Sequence, residues 1–309
     1  MITDFFDSNQ ITDVQNTTFL NRQHNQIPLQ IKRDDQIDPV ISGNKWRKLK
    51  HNFYQAKQGS YKGIASFGGA FSNHIAALSA AGKRANIATI GFIRTHEIDR
   101  RNPTLHLAEK NGMKLVAMSR QDYKLRHDPD FLQQLQQQFP EFLFVPEGGS
   151  NQAASLGLKE LANEIEQQSQ AQYIACAIGS GGTISGLMDA LPAREFIGVA
   201  AVNDKPLLDK LQRQFGDRLT IITDCLFGGY GKTNDELNQF CVNFTEQTHI
   251  PIEPIYTGKL FYALCEKEYA VSKQLLAVHT GGLQGLKGLS YRRQCPQHLW
   301  QAIMSQPDV

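Results

Sequence analysis

The chain has 309 residues, 41% of them hydrophobic, enough for one large or two medium domains around a substantial core. A formal net charge of +2, with no basic stripe interleaved with aromatics, argues against a nucleic-acid partner. No apolar run approaches the roughly 20 residues that cross a bilayer. The N-terminus, MITDFFDSNQ, has no basic leader, so a cytoplasmic protein with no membrane partner is expected.

Five cysteines (Cys176, Cys225, Cys241, Cys265 and Cys295) show no CxxC spacing, and the nine histidines form no HExxH motif. Neither a disulfide framework nor a metal site is expected.

After a polar N-terminal segment comes SGNKWRKL, residues 42–49, in which Ser42 or Asn44 can cap a helix that starts near Lys45. A cation in a first turn opposes the helix dipole, and Arg47 and Lys48 stand close by. Both effects lower an amine's pKa, which suits a neutral nucleophile toward an aldehyde; a solvated helix start is the plainer explanation.

Short apolar runs then alternate with helical stretches: GIASFGG, SNHIAALSAAGKR, ANIATIGFI, NPTLHLAEKNG and MKLVAMS. FLQQLQQQ, residues 131–138, reads as the solvated face of a helix. FLFVPEGG, SLGLKELANEIEQQ, YIACAIGSGG, EFIGVAAV, LTIIT and finally QLLAVHTGG extend the alternation. Such repeated βαβ units predict parallel sheets buried between helices, in two αβ layers.

Strands that end in glycine and feed a helix are where α/β proteins bind ligands. In GSGGTISG, residues 179–186, the backbone N–H groups of Ser180, Gly181, Gly182 and Thr183 can converge on a phosphate at a helix N-terminus, or the glycines serve only tight packing. A nicotinamide fingerprint is incomplete there, because Ile184 takes the last glycine's place, although Asp204 follows the next strand. GGYGKT, residues 228–233, lacks the leading glycine of a P-loop, Leu226 standing in its place, but leaves Tyr230 on a glycine-flanked loop. In FGGAFSNH, Ser72, Asn73 and His74 open a helix and can hold a carboxylate, or Ser72 and Asn73 act only as caps.

An aldehyde-binding lysine, a phosphate cradle and a carboxylate-binding turn are the three needs of a pyridoxal-phosphate site acting on an amino acid. With IKRDD (31–35), SGNKWRKL, FGGAFSNH, VPEGGSN (145–151), AIGSGGTISG, FGGYG, PIYTGK (254–259) and HTGG (279–282) in order, the chain resembles the fold-type-II pyridoxal-phosphate enzymes, the tryptophan synthase β-like group. Its strongest resemblance is to the D-cysteine desulfhydrase and 1-aminocyclopropane-1-carboxylate deaminase branch.

The resemblance implies two open, twisted, mostly parallel αβα layers with the active site in the cleft between them. Residues 1–45 and 155–309 would form a large cofactor-binding domain and 46–154 a small one. Lys45 would link covalently to the cofactor, Asn73 would bond its phenolic oxygen, and Ser180 to Thr183 its phosphate.

Ser72, Asn73 and His74 would grip the substrate carboxylate, with Ser72 and Tyr230 near the reacting carbons and Tyr256 beside the substrate. Thr257, with Thr280 nearby, would face the pyridine nitrogen where the cyclopropane deaminase has a glutamate. A hydroxyl makes a weaker electron sink of the ring than a carboxylate does, which favours α,β-elimination over ring opening.

The implied activity is therefore a lyase or deaminase of small amino acids, desulfhydrase-like. The alternatives are the cyclopropane deaminase or a non-catalytic homologue that binds the cofactor, and a homodimer is implied. Departures from the pattern are Ile75, Ala76 and Ala77, where the desulfhydrase continues with arginine and glutamine, and a shorter chain.

Overall fold

The computed structural model describes residues 10–269 and 274–294, together with Phe6, Leu299, Gln301 and Ile303. In chain order the strands and helices are β1 (Val14–Leu20), β2 (Gln26–Lys32), α1 (Asn44–Gln58), β3 (Gly63–Gly69), α2 (Asn73–Ala85), β4 (Ala88–Arg94) and α3 (Pro103–Lys110). Next come β5 (Lys114–Met118), α4 (Arg120–Lys124), α5 (Pro129–Gln138), β6 (Phe142–Val145), α6 (Gln152–Gln168), β7 (Tyr173–Ile178) and α7 (Gly182–Ala190). The remainder are β8 (Glu195–Ala200), α8 (Lys205–Phe215), β9 (Leu219–Ile222), α9 (Asp235–Thr248), α10 (Thr257–Glu266), β10 (Leu275–Val278) and α11 (Gly285–Tyr291). The chain falls into two compact units, Met1–Gln10 with Lys45–Leu158, and Ile11–Asn44 with Lys159–Val309.

The first unit holds a parallel four-stranded sheet in the order β5-β4-β3-β6. Six of the seven residues of β3 are buried, as a central parallel strand covered on both faces requires. Phe67 stacks on Phe92 at 5.3 Å, and Phe92 on Phe144 at 6.0 Å, which fixes three adjacent strands in register. The helices that follow the strands start on side-chain caps: Ser72 for α2, Asn102 for α3 and Asp128 for α5, the last two with proline in the first turn. At the carboxyl ends of the four strands stand Gly69, Arg94, Met118 and Val145.

The second unit holds a six-stranded sheet in the order β1-β2-β10-β7-β8-β9, in which only the edge pair β1 and β2 is antiparallel. The segment that composition marks only as polar therefore contains a hairpin, and β2 alternates exposed and buried residues as a strand with one covered face does. Strand β10, the last in the chain, inserts between β2 and β7. Because β10 and β7 are parallel neighbours, HTGG and GSGGT leave the same edge of the sheet side by side. The core of this unit runs from Phe19 and Ile31 through Phe240 and Phe244 to Phe261 and Leu286.

Cys176, Cys225, Cys241 and Cys265 are buried free thiols; Cys295 lies outside the described residues. Among the described residues no helix is long and apolar enough to cross a membrane, and no group of three or more His, Cys, Asp or Glu is placed to hold a metal ion.

Candidate active site

In the second unit the stretch before Lys45 is docked on the two glycine-rich turns. Gly43 has φ +62°, and a Cβ there would stand 1.9 Å from the Thr280 carbonyl oxygen, so only glycine allows the approach. The Asn44 backbone N–H donates to that same carbonyl at 3.3 Å, and the Ser42 hydroxyl donates to the Asp35 carbonyl at 3.0 Å. The Asn44 side-chain amide donates to Thr183 Oγ1 at 2.8 Å. The residue immediately before the lysine thus bonds to the first turn of the helix that follows GSGG.

That turn opens a helix without a side-chain cap. Gly181 adopts φ +79° as the N-cap of α7, so the helix starts with its first backbone N–H groups lacking acceptors within the helix. The Tyr256 ring closes over Gly179, where a Cβ would lie 2.9 Å from its Cε1. Thr183 is buried and Ser180 exposed. Asp204 caps α8, accepting from the Leu207 N–H at 3.1 Å, which commits the one acidic residue a nucleotide ribose would need.

Tyr230 stands on its loop between Gly229 and Gly231, both at positive φ, with its ring 6.0 Å from that of Tyr256. Two cations absent from the sequence reading pin the loop on either side. The buried Lys259 ammonium donates to the carbonyls of Gly229 at 2.7 Å and Ala201 at 3.2 Å, and Arg292 donates to the Gly231 carbonyl at 3.3 Å. Burial draws the Lys259 amine down to about 8.

Thr257 is fully buried at the start of α10 and is bonded to Glu253. Its hydroxyl accepts the Glu253 N–H at 3.1 Å and donates to the carboxylate at 3.2 Å. The Glu253 carboxylate also accepts the N–H groups of Ile255, Tyr256 and Thr257, yet burial outweighs these bonds and lifts its pKa to about 7.

Thr280 follows His279, whose Nδ1 accepts the Gly281 N–H at 3.2 Å while Nε2–H donates to the Pro251 carbonyl at 2.8 Å. This fixes the tautomer and holds the turn.

In the first unit Lys45 lies in the opening turn of α1, which contains no acidic residue. Burial lowers its amine to about 8. The cause is desolvation, not the neighbouring charges of Arg47 and Lys48 that the sequence suggests. Both of those side chains are buried, and the Lys48 ammonium donates to Ser150 Oγ at 3.0 Å.

Ser72 caps α2, its hydroxyl accepting the Ile75 N–H at 3.3 Å, with Asn73 and His74 opening the helix. Ser66 Oγ donates to the Val145 carbonyl at 2.7 Å and so accepts from His74 Nε2–H at 2.8 Å. The imidazole is therefore neutral with its lone pair on Nδ1, a buried atom without a hydrogen-bond partner. Burial first, then the positive charges of Lys45 and Lys48, push the His74 pKa to about 3. Lys45 and His74 are thus electrostatic neighbours in one unit, while Thr183, Tyr256, Tyr230 and Thr280 gather at one edge of the other.

A family model described as "Pyridoxal-phosphate dependent enzyme" matches residues 8–281. The chain is 29% identical over 294 residues to a mitochondrial bifunctional D-cysteine desulfhydrase/1-aminocyclopropane-1-carboxylate deaminase of Arabidopsis thaliana, covering 84% of this chain and 73% of that protein. It is 27% identical over 288 residues to a D-cysteine desulfhydrase of Serratia proteamaculans, covering 83% and 87%. The fold is shared with a solved 1-aminocyclopropane-1-carboxylate deaminase homologue at a TM-score of 0.76 and 23% identity, over 97% of this chain and 98% of the other.

Proposed function

The chain belongs to the pyridoxal-phosphate dependent enzymes, and on that premise we propose that it is a lyase or deaminase converting a small amino acid by α,β-elimination into a keto acid and ammonia. The observation that carries the reading is the lysine. A desolvated amine of pKa about 8 directly follows Asn44, which is bonded to the turn fit for a phosphate. An aldehyde that carries a phosphate needs both.

The residues present fit the cofactor. Lys45 would hold its aldehyde carbon, the N–H groups of Ser180 to Thr183 and the Thr183 hydroxyl its phosphate, and Asn73 its phenolic oxygen. Thr257 and Thr280 would stand at the ring nitrogen. Bound there, pyridoxal phosphate supplies a sink for the electron pair left when the substrate loses its α-proton.

The chain's own part is binding and proton transfer. Ser72, Asn73 and His74 take the substrate carboxylate at a helix N-terminus. Lys45 Nζ, neutral in a usable fraction, takes the α-proton. His74 Nδ1 offers an acceptor that its low pKa keeps unprotonated. Tyr230, its phenol half-exposed beside Tyr256, serves the β-substituent as it leaves.

Elimination is favoured over ring opening because position 257 carries a hydroxyl already bonded to Glu253 and no carboxylate of its own. The desulfhydrase name of one relative points the same way. The deaminase reading is supported by the second activity in the Arabidopsis protein's name and by relatives named putative 1-aminocyclopropane-1-carboxylate deaminases, among them one of Thermotoga maritima.

The test is release of pyruvate or 2-oxobutanoate from D-cysteine, D-serine, L-serine and 1-aminocyclopropane-1-carboxylate. We expect pyruvate and sulfide from D-cysteine, and no turnover of any D-amino acid would overturn the proposal. On the same resemblance we assign residues 46–154 as a small domain, and the working form as a cytoplasmic homodimer, which light scattering of the purified enzyme tests.

A further inference from the structure

The loop between β9 and α9 carries Tyr230 on a backbone with little stiffness of its own. Gly228, Gly229 and Gly231 all stand at positive φ, at 86°, 97° and 61°, and Phe227 before them at 47°. Glycine loses more conformational freedom on ordering than any other residue, so a phenol set among three of them keeps one position only where the loop is tied from outside. Within the loop the Gly229 N–H donates to the Leu226 carbonyl at 2.9 Å and the Lys232 N–H to the Gly229 carbonyl at 3.2 Å.

The outside ties are Lys259 and Arg292, and they take the carbonyls on either side of Tyr230. Lys259, in the first turn of α10, is 0% exposed, and its ammonium joins the Gly229 carbonyl to that of Ala201 at the end of β8. Arg292, just after α11, reaches across 61 positions to the Gly231 carbonyl at 3.3 Å, while its Nε donates to the Gly288 carbonyl at 3.4 Å. A Cβ on Gly231 would lie 3.0 Å from Arg292 Nη2 and 3.4 Å from Nη1, so the absence of a side chain there admits the guanidinium against the loop.

A cation at the end of a helix is ordinarily explained by the helix dipole, which an exposed side chain serves as well. Arg292 is instead half-buried: burial lowers its pKa, and the Tyr230 phenol raises it in part. Guanidinium and phenol are thus electrostatic neighbours, and by reciprocity the guanidinium favours the phenolate. Lys259, behind the Gly229 carbonyl, adds a second positive charge, and Lys232 on the loop itself is exposed. The Tyr230 ring is 44% exposed and lies 6.0 Å from that of Tyr256, which covers Gly179 at the head of the turn fit for a phosphate.

We infer that Arg292 is a positioning residue for Tyr230: with Lys259 it fixes the glycine loop so that the phenol hands its proton to the departing β-substituent, and the favoured substrates are β-substituted alanines whose leaving group must be protonated. This rests on the proposed elimination, in which Tyr230 serves that substituent. With D-cysteine the α-proton is lost, the Cβ–S bond breaks with its pair on sulfur, and the hydrosulfide takes the phenol proton to leave as hydrogen sulfide. The phenolate is held by the guanidinium until solvent returns a proton, matching the α-proton given up. Water then converts the aminoacrylate to pyruvate and ammonia.

The test compares D-serine, D-cysteine and β-chloro-D-alanine on the cofactor-loaded enzyme, with kcat and KM taken from pyruvate release. Their leaving groups, hydroxide, hydrosulfide and chloride, fall in basicity in that order, and so does the demand for a proton. We expect Arg292→Met to lower kcat about tenfold or more with D-serine, less with D-cysteine and least with β-chloro-D-alanine, with KM little changed, and Arg292→Lys to restore most of the loss. In the cofactor-free protein, amide hydrogen exchange across residues 227–232 should quicken in Arg292→Met while β3 and β7 exchange as in the wild type, which separates a loosened loop from a misfolded chain. A loss of kcat equal for the three leaving groups, or a loop whose exchange is unchanged, overturns the assignment, and pyruvate from the wild type in the same preparation leaves the elimination reading standing. If the wild type releases pyruvate from none of the three, both fall.

Discussion

The folded state carries Lys45 at an energetic disadvantage, and substitution can expose it. Burial moves the amine from 10.5 to about 8. At 1.36 kcal/mol per unit this disfavours the folded, charged lysine by about 3 kcal/mol. Between pH 8 and 10.5 the unfolded chain holds the proton and the folded chain does not, so stability rises with pH across that window; below it the full cost of burying the charge applies.

In cofactor-free protein, Lys45→Met should therefore raise the denaturation midpoint at pH 7, and the gain should fade as the pH approaches 10.5. The same shift sets reactivity: at pH 7 about a tenth of the amine is neutral, against roughly 0.03% for an ordinary lysine, a factor of some three hundred. Urea denaturation from pH 6.5 to 10.5 measures the first consequence. Acylation of Lys45 against pH, read by peptide mass spectrometry, measures the second and should reach half its limiting rate near pH 8. A stability gain independent of pH, or acylation still rising steeply at pH 10, would refute the desolvation argument.

Removing the Asn44 amide should loosen the link between the lysine and the phosphate turn. Loss of its bond to Thr183, worth about 0.5–1.5 kcal/mol net, predicts a rise of roughly two- to twelvefold in the dissociation constant for pyridoxal phosphate on Asn44→Ala, measured by fluorescence titration of the cofactor-free protein. Glu253, raised to about 7, binds a proton in the folded state that the unfolded chain has lost above pH 4.5, so it makes stability fall as pH rises from 4.5 to 7. Glu253→Gln should remove that fall, and the difference between variant and wild-type denaturation curves should grow by up to about 3 kcal/mol across the window; parallel curves would count against it.

The strand and helix alternation was legible because parallel strands covered on both faces read as continuous apolar runs, GIASFGG and YIACAI above all. The β1 and β2 hairpin was not, because a half-covered strand such as QIPLQIK, interrupted by Pro28, has the composition of a loop. Nor could residue order show that β10 inserts beside β7, which is what makes neighbours of HTGG and GSGGT.

Glycines announced the turns, since Gly43 and Gly181 sit at positive φ where a side chain would be strained. The supporting residues gave no such signal. Lys259 and Glu253 are charges that composition assigns to the surface, and only the fold reveals them buried behind Tyr230 and Thr257.

Among the described residues of the first unit, His74 Nδ1 is a buried polar atom without a hydrogen-bond partner. Such an atom costs about 1–3 kcal/mol relative to a bonded one, and native proteins keep few. It is an acceptor set near two lysines. His74 is in the first turn of the helix that follows β3, beyond the carboxyl end of that strand. Packing would remove it with a single substitution, as it would the buried charge of Lys45. Two unfavourable groups of different chemistry in one unit are what a site that reads an amino acid by its N–H and by its carboxylate requires. Apolar replacement of either should then stabilise the cofactor-free protein while weakening what it binds.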